Sequence, residues 1–176
     1  MKSFISEDKV GRDLALHPAP FVLGDFPFEI RGIQGIPMAY TLHDFGVTNG
    51  VEDGGFLIEG IYLPPLQFSL LIPISGGLHE ELMSRYNYFA MAGVLIRDES
   101  NGSIELTDLG FPRVNYTLSP KDLDLIARGS EIIARMWFKL GAKRIVTSHM
   151  RKQLINGGDE IPERLREKKN DSKNFM

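Results

Sequence analysis

Hydrophobic positions in this chain come in short blocks separated by turn residues, with one long helical stripe in the last third. Phe21-Val22-Leu23 is a brief apolar run closed by Gly24-Asp25. Pro27, Pro37 and several glycines punctuate the next stretch, and a strand is expected within 36–42, where Tyr40, Thr41 and Leu42 have β character. A polar loop over 46–55 leads into a second strand, 56–62, which Pro64-Pro65 must end because proline cannot donate to a sheet ladder. The apolar run at 66–74 reads as a strand or the lead into a helix. Gly76-Gly77 breaks the chain, and 78–89 has helical spacing. The clearest hairpin is expected from Val94-Leu95-Ile96, through a turn at 98–102, back along Ile104-Glu105-Leu106, since Asn101-Gly102 supplies the positive φ such turns need. Asp108-Leu109-Gly110 marks another turn, before a strand over 114–118.

Ser119-Pro120-Lys121-Asp122 opens the strongest helix: serine caps, proline suits the first helical position, and acids favour the positive end of the dipole. Ile126, Ala127, Ile133, Ala134, Trp137 and Phe138 form its buried stripe, and Gly141 marks its end. Arg144-Ile145-Val146-Thr147 reads as a last strand. Beyond it, 150–169 is polar and expected to be helical in pieces, broken by Gly157-Gly158 and Pro162. With no internal repeat, the pattern predicts one α+β domain over 1–176: an antiparallel sheet with helices packed on one face.

Composition narrows the functional classes. At 176 residues, with 43% hydrophobic and 24% charged residues, the chain can bury one ordinary core. A net charge of −3 gives no electrostatic case for nucleic acid. The basic residues Arg164, Arg166, Lys168 and Lys169 alternate with Glu163, Glu167 and Asp171, as on a solvated face. Absence of cysteine excludes disulfides, thiolate catalysis and cysteine-based metal sites. No opening apolar stretch suits a signal peptide, and no run is long enough to span a bilayer, so a cytoplasmic location is expected.

Familiar chemical motifs are missing. There is no G-x-G, so the dinucleotide turn is absent despite eighteen glycines. There is no G-x-x-x-x-G-K-[ST] loop and no G-x-S-x-G elbow. His79-Glu80-Glu81 begins like a zincin motif but position 83 is Met. The histidines at 17, 43, 79 and 149 show no ligand spacing, and no metal site is expected.

Three stretches nevertheless carry a pattern. Val10-Gly11-Arg12-Asp13-Leu14-Ala15-Leu16-His17-Pro18 is similar to the V-G-x-N-L-x-x-H-P-like segment with which glucose–methanol–choline (GMC) oxidoreductases leave their flavin domain, with Asp13 where the family usually has Asn. Gly54 to Gly60, with Pro64-Pro65 behind it, resembles the long-chain alcohol oxidase and cholesterol oxidase branches. The block Gly93 to Asp98, Gly102, Gly110 to Tyr116, the Ser119-Pro120 helix and Gly141-Ala142-Lys143 continues the match in order. The chain thus resembles the substrate domain of a GMC oxidoreductase over nearly its whole length. That resemblance implies FAD as cofactor, bound by sequence or a partner subunit outside this chain, and an alcohol that gives hydride to the flavin. It also implies a catalytic histidine in an S-x-H-x-x-G-like motif that this chain lacks; the role of His17 stays open.

Glu59 is the candidate catalytic residue. The resemblance places it like the cavity glutamate of the cholesterol oxidase branch, which helps move a proton. Strand parity puts it between Leu57 and Ile61, where apolar burial would make a carboxylate a usable general base. The alternative is a glutamate on an exposed sheet face or one paired with Arg31 or Arg97. Tyr40, Phe56 and Tyr62 are candidates to line the same substrate cavity, or else are core aromatics. Two functions are open: the substrate-domain portion of a split or truncated flavoenzyme, inactive without its flavin-domain partner, or a stand-alone module binding an apolar alcohol or lipid.

Overall fold

The computed structural model describes residues 10–46, 55–99, 102–148 and 154–157. The expectations for 150–153 and 158–169, the basic cluster near the C-terminus, His149 and most of the 46–55 loop lie outside these residues.

Among the described residues eight strands form two antiparallel sheets. The elements run β1 (Phe21–Asp25), β2 (Thr41–Leu42), β3 (Phe56–Ile61), α1 (Pro65–Leu71), α2 (Gly77–Ser84), β4 (Phe89–Ile96), β5 (Ser103–Leu106), β6 (Pro112–Asn115), α3 (Pro120–Lys139), β7 (Arg144–Thr147) and β8 (Leu154–Asn156). Six strands make the main sheet in the order β2-β3-β4-β1-β7-β8, and β5-β6 stand apart as a two-stranded ribbon.

The expected α+β class and antiparallel sheet are present; the placing of all helices on one face is not. Helix α3 covers one face, over Val22, Ile58, Val94, Ile96 and Ile145. Helices α1 and α2 cover part of the other, packing Phe68 and Leu82 against Phe21, Leu23, Phe89, Met91 and Val146. The cause is legible in β1, buried along its whole length. A central strand covered on both sides is a continuous apolar run, not an alternating one.

The capping box of α3 forms as its sequence requires, with Asp122 N–H donating to Ser119 Oγ at 3.1 Å and Ser119 N–H to Asp122 Oδ2 at 3.2 Å. Gly141, at φ 99°, ends it in the left-handed region. Trp137 packs against the core beneath α3 and donates its indole N–H to the Val22 carbonyl at 3.1 Å. A buried carboxylate ties the layers: Asp25 accepts from Arg85 Nη2 at 2.6 Å and Arg144 Nε at 2.8 Å, joining β1 to the end of α2 and the start of β7.

The expected hairpin across 98–102 does not exist. β4 pairs with β1 and β3, whereas β5 pairs with β6 across Asp108-Leu109-Gly110. Gly110, at φ 78°, supplies the positive φ of the connecting loop, so the turn chemistry is real but acts one turn later. The expected helix over 78–89 is also shorter. It ends at Ser84, gives one 3-10 turn at Tyr86–Tyr88, and hands Phe89 to β4.

Candidate functional site: an apolar cleft at the β3 edge

After β1 the chain makes a strap, 26–40, pinned at both ends. Ile30 N–H and Arg31 N–H both donate to the Asn87 carbonyl, at 2.7 and 3.0 Å. At the far end Met38 N–H donates to Gly60 O at 2.7 Å, and Gly60 N–H to Tyr40 O at 3.2 Å. Arg31 (φ 49°) and Met38 (φ 56°) sit in the left-handed region, a conformation these hydrogen bonds must hold.

Between strap and sheet lies an open, mainly apolar cavity of about 570 Å³, within the range of small-molecule sites. Ile61, Tyr62, Ala90 and Met91 form its sheet side; Ile30, Ile36, Pro37 and Tyr40 form the strap side. Gly32 also lines it and lets the strap lie on Tyr62, since a Cβ there would come within 2.1 Å of the ring. Tyr62 packs edge-on to Tyr86 with centroids 5.3 Å apart and donates to the Tyr86 carbonyl at 2.9 Å, while Tyr86 donates to Leu63 O at 2.7 Å. Burial, and then the neighbouring Tyr86 phenol, push the Tyr62 hydroxyl well above the usual phenol range. Tyr62 is therefore a fixed neutral wall and hydrogen-bond donor, not a proton acceptor.

The candidate residues divide into three places. Tyr40 and Tyr62 meet at this cavity, with Tyr40, 86% exposed, at its rim. Phe56 does not join them. Its ring stacks on Phe45 at 5.1 Å within the core cluster under α3, because it shares the face of Ile58. Glu59 shares the opposite face with Leu57 and Ile61, as parity requires, and is half-buried. It stands in register with Thr41 and Gly93, and Thr41 Oγ1 lies 3.5 Å from its Oε1. Neither proposed arginine pairs with it: Arg31 binds Glu29, and Arg97 lines a smaller cleft of about 210 Å³ with His17, Leu57 and Leu95. Glu59 is not among the residues lining the larger cavity.

Asp98 is the organising residue that sequence reasoning missed. Its carboxylate accepts from Leu16 N–H (3.2 Å), His17 N–H (3.1 Å) and Tyr116 Oη–H (2.6 Å). Burial works to raise its pKa, but these hydrogen bonds outweigh it and hold the group below the usual carboxylate range. One side chain thus gathers parts of three separated sequence stretches: 10–18, 93–98 and 110–116. Asp13, at φ 58°, occupies the left-handed conformation that asparagine and aspartate both tolerate, so an aspartate can stand where the resembling segment has Asn. By pattern Asp98 is a short polar residue just beyond an apolar strand, as in a turn, and the resemblance takes it in at the end of the 93–98 block without giving it a role.

Two chemistries find no support in the geometry. His79 Nε2 lies 3.3 Å from Ser69 Oγ but also 3.1 Å from the Ser69 carbonyl, which only accepts. A nitrogen donating there cannot take the hydroxyl proton. The fit to FAD is also poor: among the described residues every strand pair is antiparallel, and neither strand-to-helix connection is the glycine-rich turn a pyrophosphate needs.

Fold and cleft together define an α+β domain with room for an apolar ligand and no dinucleotide seat among its described residues. No protein-family model matches the chain. It is similar to an uncharacterized GMC-type oxidoreductase of Mycobacterium tuberculosis, 27% identical over 139 residues, covering 79% of this chain and 21% of that protein. A long-chain-alcohol oxidase of Arabidopsis thaliana is 24% identical over 166 residues, covering 88% of this chain and 22% of the relative. The chain is thus similar over most of its length to GMC-type oxidoreductases and spans about a fifth of the length of these relatives.

Proposed function

We propose that this chain is the substrate-domain portion of an FAD-dependent GMC-type oxidoreductase acting on an apolar alcohol, with FAD bound by polypeptide outside it. The carrying observation is similarity over 79–88% of this chain to only 21–22% of two such relatives. The apolar cleft behind Tyr40 and Tyr62 supports an apolar substrate. Glu59 would serve by holding or accepting a proton at its carboxylate, which the half-buried sheet face beside Thr41 leaves accessible. Tyr40 and Tyr62 would contribute shape and apolar contact.

The test is reconstitution with a flavin-binding partner. Glu59→Gln should slow alcohol-driven flavin reduction by about 10²-fold, the scale of general-base catalysis, with fold and flavin content unchanged. Unaltered reduction would return Glu59 to a structural role. A second reading, a stand-alone module binding an apolar alcohol or lipid, is favoured by the same cleft. It requires ligand binding by the chain alone.

A further inference from the structure

The β5-β6 ribbon carries a face that its own domain does not cover. Register pairs Ile104 with Val114 and Leu106 with Pro112, so these four lie on one side. Ser103, Asn115, Glu105 and Arg113 take the other side, polar and charge-balanced. At the tip, Leu109 and Phe111 add apolar surface. Exposures of 76% for Leu106, 83% for Leu109 and 67% for Phe111 show that nothing in the described residues shields it.

A lone two-stranded ribbon is marginal in water, and a one-sided apolar ribbon is a binding surface. Its base is fixed: Ile104 N–H donates to Gly11 O at 2.7 Å, and Leu14 bridges Gly102. A Cβ at Gly11 would come within 2.2 Å of the Ile104 carbonyl, so only glycine permits this contact. Exposed Val10 and Leu16 lie in that same anchoring segment. In the GMC-type relatives the stretch matched by this chain is covalently joined to nearly four-fifths of a polypeptide, so a large partner surface is at hand.

We infer that the apolar face of the β5-β6 ribbon is the docking surface for the flavin-binding portion of a GMC-type polypeptide, a claim that rests on the proposed function above. An apolar ribbon face with a neutral reverse side suits a matching apolar patch on that portion rather than a charged partner.

The test co-expresses the chain with the polypeptide, encoded beside its reading frame, that carries a G-x-G-x-x-G fingerprint, and measures co-purification. Leu106→Lys with Phe111→Lys should weaken retention at least tenfold while circular dichroism and Tm stay unchanged, because both side chains are exposed. Glu105→Gln with Arg113→Gln, on the reverse side, should retain the partner fully. Equal retention by the lysine variant would overturn the docking surface and leave the functional reading standing. Absence of any fingerprint-bearing neighbour, or no retention by the wild-type chain, would overturn that reading and the surface with it. Two other results would overturn the surface by naming another occupant: a dimer of this chain abolished by the lysine pair, or wild-type binding to neutral phosphatidylcholine vesicles that the pair abolishes.

Discussion

Asp98 concentrates three hydrogen bonds on one carboxylate, and its energetic role has a definite sign. Its folded-state pKa lies below the ordinary value, so its contribution to stability is present above the unfolded aspartate range and is lost as pH falls through the folded value. Stability measured by urea should therefore decline from about pH 5 downward, and Asp98→Asn should flatten that decline. Tyr116→Phe removes a charge-assisted bond of 2.6 Å and should cost about 1.5–3 kcal/mol at neutral pH. Protonating Asp98 should shrink that penalty. An equal cost at about pH 7 and about pH 3 would show that Tyr116 acts through ring packing instead. Glu59 makes the opposite lesson at this scale: parity alone places it on the correct face, yet no pattern in the sequence tells how far a neighbouring strand covers it.

Helix α3 shows what an element can ask of one residue. Gly129 lies mid-helix, where replacing glycine by alanine ordinarily gains about 1 kcal/mol of helix propensity. Here a Cβ would stand 2.5 Å from Val94 Cγ1 and 3.2 Å from Phe56 Cδ2, so the helix would have to lift from the sheet. Gly129→Ala should destabilise by about 1–2 kcal/mol, overpacking outweighing propensity. Equilibrium unfolding that showed a gain would mean that the sheet yields there. The position of α3 is legible because cap, stripe and terminating glycine agree along twenty residues. β1, β3 and β7 are legible as apolar runs bounded by turn residues. The ribbon is not, because two plausible turns, Asn101-Gly102 and Asp108-Leu109-Gly110, lie eight residues apart. Choosing between them depends on Asp98 drawing the chain toward Leu16 and Tyr116, the first of these more than eighty residues away along the sequence. Covering helices on both faces escape the pattern for a related reason, since a short apolar run does not say which side buries it.

For the whole molecule, the cleft under the 26–40 strap makes ligand binding measurable without any redox partner. If an uncharged long-chain alcohol or sterol occupies it, saturation at about 100 times Kd adds about 2.7 kcal/mol to the folded state. In a chain of this size that corresponds to a Tm rise of about 5–10 °C. The control comes from Gly60, which lines the cleft and where a Cβ would meet only Tyr40 O at 3.9 Å. Gly60→Phe has space for its first carbon, adds bulk at the β3 wall of the cleft, and should abolish the ligand-induced rise while leaving the unliganded Tm within about 2 °C. Gly32→Ala acts differently: it drives a methyl against the Tyr62 ring and should lower the unliganded Tm as well as ligand affinity. A rise that survives Gly60→Phe would put the ligand elsewhere on the domain, and the smaller cleft beside Leu57 and Leu95, on the Glu59 face, becomes the place to look. A rise lost in Gly60→Phe, together with slower flavin reduction in Glu59→Gln, would assign two separate duties to one sheet: the strap and cleft, bounded by Tyr40 and Tyr62, would hold the apolar body, and Glu59, outside the cleft lining, would handle a proton.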